Sequence, residues 1–217
     1  MYVPRHFEVE DLDRAAALVD RIGAADLVTF DGVRPVSTLL PVLWDRPDGG
    51  HGRLLGHIAL ANDQWRTAAP GAQALAIVRG PQAYVSPSWY ASKREHGRVV
   101  PTWNYTAVHL TGPVTFSREP ERLREIVTRL TERHEAGRAH PWAVTDAPAA
   151  YLEGQLRGIV AVELTVERVE AKDKLSQNRS RADQEGVVAG LRGDGPESGA
   201  VADLMAHRPA ADPRDPA

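Results

Sequence analysis

Between residues 25 and 117 the chain is a succession of short apolar runs, each closed within a few residues by a turn signal, and this spacing narrows the fold more than any other feature. "ADLVTF" ends at Asp31-Gly32, a dipeptide suited to a tight hairpin. "RPVSTLLPVLWD" follows, then the turn-rich "RPDGGHG", then "RLLGHIALA", "GAQALAIVRG", "AYVSPS" and "TWNYTAVHLTGPVTF", the last with Gly112-Pro113 as an expected bend. Helical periodicity frames the set. Leu12, Ala16, Val19 and Ile22 recur at helical spacing within residues 8–22. Ser117 is placed to cap a helix carrying Leu123, Ile126, Val127 and Leu130, with Pro120 in its first turn. Asp146 is placed to cap another, with Leu152 and Leu156 inward. "IVAVELTV" then alternates, Val160, Val162, Leu164 and Val166 facing one way and Ala161, Glu163, Thr165 and Glu167 a wet side. Five or six strands, then helices, then one strand, specify an α+β barrel-like domain.

Bulk properties exclude several classes. No cysteine is present, so disulfides and thiolate-held zinc or iron–sulfur centres are out. The eight histidines form no H-x-x-x-H or H-E-x-x-H pair, and no mononuclear metal site is expected. A formal net charge of −3 gives no basic footprint for nucleic acid, no helix-turn-helix is visible, and the short clusters Lys93-Arg94 and Lys172-Asp173-Lys174 read as solvated surface. Direct DNA binding is therefore not expected. The charged start and the lack of a membrane-length apolar run argue for a cytoplasmic protein with no membrane contact.

Four stretches carry candidate chemistry. In "GHIALANDQW", alternation puts Leu55, His57, Ala59 and Ala61 on one face, which leaves room beside His57 for a flat ligand or another chain. Asn62 or Asp63 then caps a short helix. A half-buried histidine bonded to backbone, beside a routine cap, explains the same residues. In "VVPTWNYTAVHLTG", Trp103, Tyr105, Ala107 and His109 share a face, a stacking surface with nearby donors; a dimer seam would use the same residues. "GPQAYVSPSWYASKREHG" reads as a loop, and Ser86 and Ser88 lack the G-x-S-x-G context of a nucleophile. "KLSQN", from Lys174 to Asn178, concentrates one cation and three hydrogen-bonding side chains, which suits either a site or a capped turn. A short helix and a last helix with Val201, Leu204 and Met205 follow, then a tail at 207–217 too polar to order itself.

Several of these strings, in order, resemble one family: "MYVPRHFEVEDLD", "GPQAYVSPSWY", "VPTWNY" with "AVH" and "TG", "RHEAGR" with "PWAV" and "DAP", and "KLSQNR". Together they are similar to the PaiB-like proteins, FMN-binding negative transcriptional regulators of the FMN-binding split-barrel superfamily. The resemblance implies a six-stranded antiparallel split β-barrel with flanking helices and a C-terminal helical extension. It also implies a homodimer with FMN in a cleft at the seam, acting as a regulator or as a flavin-dependent reductase of unknown substrate. On that basis residues 1–172 form the barrel domain, 173–206 the KLSQN segment with short helices, and 207–217 the tail. The implied cofactor contacts are Ser37, Thr38 and Asn62 on phosphate and ribityl oxygens, and His57 and Ala59 beside them. Trp103 and Asn104 wall the ring, and Lys174 and Gln177 close it. The chain departs from the family pattern at Leu39, Leu60 and Asp63, where histidine, arginine and proline are usual; a guanidinium is lost and a carboxylate added near the expected phosphate.

Two alternatives stand beside this reading. Piperazate synthases resemble the same family but hold haem b and join two nitrogens; here His57, then His109, would be the axial ligand. A cofactor-free interaction module is the other, if Leu39 and Leu60 close the pocket.

Overall fold

The computed structural model describes residues 1–47 and 50–207. Within them the helices are α1 (Leu12–Ile22), α2 (Gln64–Thr67), α3 (Ser92–Glu95), α4 (Pro120–Glu135), α5 (Ala149–Leu156), α6 (Arg181–Gly193) and α7 (Pro196–Ala206). The strands are β1 (Ala24–Phe30), β2 (Pro35–Asp45), β3 (Arg53–Ala59), β4 (Gln73–Val85), β5 (Thr102–Ser117), β6 (Ile159–Thr165) and β7 (Arg168–Lys174). They form one antiparallel sheet, order β4-β1-β2-β3-β6-β5-β7, and an added β4–β5 pairing curls it into a partial ring. The sheet thus has seven strands among the described residues, where six are expected. β7 is the addition, and "RVEAKDK" hides it: five of its seven side chains are charged, so no apolar alternation marks it. No described helix is long and apolar enough to cross a membrane. The expected tail lies, from residue 208 onward, outside the described residues.

Two compact units divide the chain: Met1–Ala15, Arg79–Val108 and Glu170–Ala217 in the first, Ala16–Val78 and His109–Val169 in the second. In the second unit β1 and β2 pair from Ala24↔Pro41 to Phe30↔Pro35, and the Asp31 carboxylate takes the N–H groups of Val33 and Arg34 at 2.8 Å each, so the Asp31-Gly32 hairpin forms as expected. Its interior is closed by Leu27, Leu40, Val42, Leu54 and Leu164, leaving a void of about 10 Å³, less than a water needs. Outside the sheet, Leu43, Leu55 and Ala161 pack under Leu123, Ile126 and Leu130 of α4 and Leu156 of α5. The expected wet side of β6 holds at Thr165 and Glu167, which are exposed, and fails at Ala161, which α4 buries fully; between them Glu163 is held by Arg122 at 2.7 Å through two guanidinium nitrogens. An amphipathic helix lying on one end of a strand makes that end a two-sided core.

Two caps differ from expectation. Glu119, not Ser117, precedes α4; the Ser117 hydroxyl accepts the Glu119 N–H at 3.1 Å, one turn residue early. Pro148 precedes α5, and the Asp146 carboxylate turns back onto the Ala143 N–H at 2.9 Å. At α4, Pro120 sets the helical φ of the first turn; Pro148 stands one step outside α5 with an extended ψ of 134°, and neither helix has a side-chain cap. β5 runs straight through Gly112-Pro113, where a bend is expected. A Cβ on Gly112 would lie 1.8 Å from Thr165 O, so the glycine serves close strand approach.

In the first unit a separate core gathers Val85, Tyr90, Leu175, Val187, Leu191 and Val201. "GPQAYV" belongs to β4 rather than to a loop, and only Pro87–Trp89 and α3 break the chain after it. Lys172 is likewise not solvated surface. It is 6% exposed, donates to Tyr2 O at 2.9 Å, and lies 5.2–5.9 Å from the rings of Tyr2, Phe7 and Tyr105. Three aromatic faces and one carbonyl replace the water a lysine normally keeps.

Candidate functional site

The second unit brings two of the expected contacts together. Thr38, half-buried on β2, accepts a hydrogen bond from the Asn62 amide at 2.8 Å, and Asn62 Oδ1 caps α2 by accepting the Gln64 N–H at 3.0 Å. Ser37, the next residue on β2, is exposed. Of the two possible caps it is Asn62 that acts, while Asp63 pairs with Arg66 at 2.7 Å. That pair matters electrostatically: the carboxylate introduced at Asp63 is matched three residues later by a guanidinium that also lies 4.4 Å from the Trp65 ring centre. Leu60 is half-buried, and its carbonyl accepts the Trp65 indole N–H at 3.0 Å.

His57 sits on β3 opposite Ala161 of β6. Leu55, on the same face, is fully buried beneath α4, so the open space expected along this face is confined to the Ala59 end, where the strand is exposed. The imidazole is half-buried and makes no side-chain hydrogen bond among the described residues. Burial pushes its pKa below the ordinary histidine value, so it is a neutral base at neutral pH.

The first unit holds the rest. Trp103 is exposed on β5; its indole N–H donates to Gln82 Oε1 at 3.1 Å, and the Tyr84 ring lies 6.5 Å away. Lys174 donates to Thr102 Oγ1 at 2.5 Å and Trp103 O at 2.8 Å. Burial, then the charges of Lys172 and Arg179, holds its pKa below the usual lysine range. Asn104 is fully buried and does not wall an open face; its amide donates to Ser176 Oγ at 3.0 Å. Gln177 Oε1 accepts the Leu175 N–H at 2.7 Å, folding the KLSQN turn on itself. Ser176 takes a left-handed φ of 63°, unusual for a residue with a Cβ, and its hydroxyl is locked to Asn104. KLSQN is thus a turn pinned to β5 through Lys174 and Ser176, with Asn178 exposed.

Sequence reasoning missed Gln64. It is 1% exposed, and its amide nitrogen faces Leu27 O, Thr29 Oγ1 and Val36 O at 3.0–3.2 Å, tying α2 to β1 and β2. Its Oε1 is buried without a partner. A glutamine after a polar cap has no periodic signal; only the tertiary neighbours reveal it. Among the described residues no cluster of His, Asp and Glu could hold a metal ion.

Residues 1–168 match the family model described as "Putative FMN-binding domain". The chain is 35% identical over 206 residues, 94% of this chain and 96% of the relative, to "Protease synthase and sporulation protein PAI 2" of Bacillus subtilis (strain 168). The chain belongs to this PaiB-like family, a class defined by its putative FMN-binding domain. Among solved structures, the FAD and heme binding protein from Mycobacterium smegmatis is 19% identical with a TM-score of 0.59, over 84% of this chain and 80% of that one. The flavocytochrome Anf3 from Azotobacter vinelandii is 15% identical with a TM-score of 0.56, over 79% and 72%. At these identities the likeness is one of fold.

Proposed function

We propose that this chain is a homodimeric FMN-binding protein of the PaiB type, a regulator or flavin-dependent reductase that does not itself grip DNA. The observation that carries the reading is the unbroken match of residues 1–168 to the FMN-binding domain model. The residues fit the group. Within the second unit the Thr38 hydroxyl and the Asn62 amide suit phosphate and ribityl oxygens, and Ser37 adds an exposed hydroxyl on the other face of β2. The space of about 10 Å³ among Leu27, Leu40, Val42, Leu54 and Leu164 does not admit an isoalloxazine. Bound FMN supplies the redox chemistry; the chain's own residues bind and orient it.

The dimer is supported by the outer face of β2-β1-β4 in the second unit. Leu39 is 68% and Phe30 53% exposed. Leu39, Asp26 and Ile77 form one row across the three strands, and Ser37, Val28 and Leu75 the next. Exposed Leu39 and Phe30 on this face suit burial by a second copy, and the face also carries Ser37, so cofactor and second copy would share it.

The test is an absorbance spectrum of the purified chain after FMN is added and excess removed. Flavin bands at one equivalent per subunit are expected, with loading reduced about tenfold or more in N62A, which loses the amide donor. A colourless wild-type protein overturns the reading. Haem b on His57 is a second reading, favoured by the half-buried neutral imidazole. A Soret band lost in H57A would establish it and displace FMN. Binding to DNA that weakens with salt would overturn the indirect route for regulation.

A further inference from the structure

The second unit contains a cleft far from any residue discussed for flavin in the chain: α4, the segment 137–145 and α5 enclose about 470 Å³, within the range of small-molecule sites. Its walls are Leu152, Val144 and Pro141, with Thr128 beside them, and Trp142 lines it with 47% of its surface exposed. The segment is held in place rather than loose: Trp142 N–H donates to Glu135 Oε2 at 3.0 Å and Ala143 N–H to Asp146 at 2.9 Å.

The charges select the occupant. Glu135 is committed to the Trp142 N–H and to Arg138 at 3.2 Å. Arg124, which also lines the cleft, is paired with Glu153. Glu132, one turn before Glu135 on α4, makes no ion pair or side-chain hydrogen bond among the described residues. One unmatched negative charge therefore faces an apolar cleft with an open indole. An anionic ligand is repelled by Glu132. A neutral apolar ligand would strip water from that carboxylate without replacing it, which is costly. A cation satisfies the carboxylate and the electron-rich indole face together.

We infer that this cleft binds a small organic cation, an ammonium or quaternary ammonium group on an apolar body, seated between Trp142 and Glu132. The site does not depend on flavin binding, and its test does not use flavin. Benzyltrimethylammonium chloride is titrated into the nitrogen-15-labelled full chain, with benzyl alcohol as the neutral analogue, and the indole N–H signals of the five tryptophans are followed. The signal absent from W142F identifies Trp142. A saturable shift of that signal by the cation is expected, with affinity about tenfold lower for E132Q and for benzyl alcohol. Glu132 is exposed on its helix, so E132Q keeps the fold, checked by an unchanged melting temperature. Equal binding of the neutral analogue, unchanged affinity in E132Q, or no saturation below about 50 mM overturns the inference.

Discussion

At Gly190 a single missing methyl decides how a helix packs. A Cβ there would lie 2.3 Å from the Trp89 ring, and one on Gly186, a turn earlier, 2.1 Å from Trp89 O. In an open helix interior, replacing glycine by alanine stabilises by about 1 kcal/mol. Here the added methyl meets the Trp89 ring, while the Trp89 backbone is itself held close to Gly186, and overpacking costs about 1–3 kcal/mol. G190A is expected to lower stability in urea denaturation, whereas G193A, with open space around its position, is expected to be neutral or stabilising. The reverse order would show that Trp89 is freer than its contacts suggest. His57 makes the second residue-scale prediction. Its folded pKa lies below the unfolded value, so the unfolded chain binds the proton more readily. Stability is then full above about pH 6.5 and falls as pH drops below that value, and H57Q is expected to flatten that part of the profile. An unchanged profile in H57Q would place the sensitivity elsewhere.

Helix α4 is held to the sheet by charge as well as by Leu123, Ile126 and Leu130. Arg122 grips Glu163 of β6, and Arg129 grips Asp45 of β2 at 2.7 and 3.2 Å, with Glu125 between the two arginines. The hydrogen bonds from Arg122 hold the Glu163 carboxyl below its usual range, and those from Arg129 do the same for Asp45. Both groups therefore contribute stability above the ordinary carboxylate pKa, lost as pH falls below about 4. R122A leaves a largely shielded carboxylate short of its main partner and is expected to cost about 1–2 kcal/mol, read in denaturant unfolding. A loss below about 0.3 kcal/mol would class the contact with ordinary surface pairs. This element was half legible in the sequence. The apolar stripe of α4 follows from helical spacing, but its partner strand does not: Glu163 reads as a wet residue until a guanidinium from 41 positions earlier covers it.

For the whole molecule, the proposed dimer makes a concentration-dependent stability the expected outcome. If a second copy covers Leu39 and Phe30, the melting temperature rises with protein concentration. L39E, which puts a second carboxylate beside Asp26 in place of an exposed apolar side chain, is expected to give monomers in analytical ultracentrifugation and to lose the concentration dependence. A dimer that survives L39E would move the interface to another surface.

By itself the sequence determined the α+β class, the hairpin at Asp31-Gly32, the stripes of α1 and α4, the absence of thiolate chemistry and, through its ordered motifs, the family. These are local properties: periodicity, turn residues and composition act within a few positions. Tertiary structure alone decided that "RVEAKDK" is a strand, that Lys172 is buried among three rings, that Asp63 is answered by Arg66, and that Asn104 and Ser176 lock a turn instead of facing a ligand. Each depends on a partner supplied by folding. The energy of a polar group is set by what replaces its water, and the identity of that replacement is not written beside it in the chain.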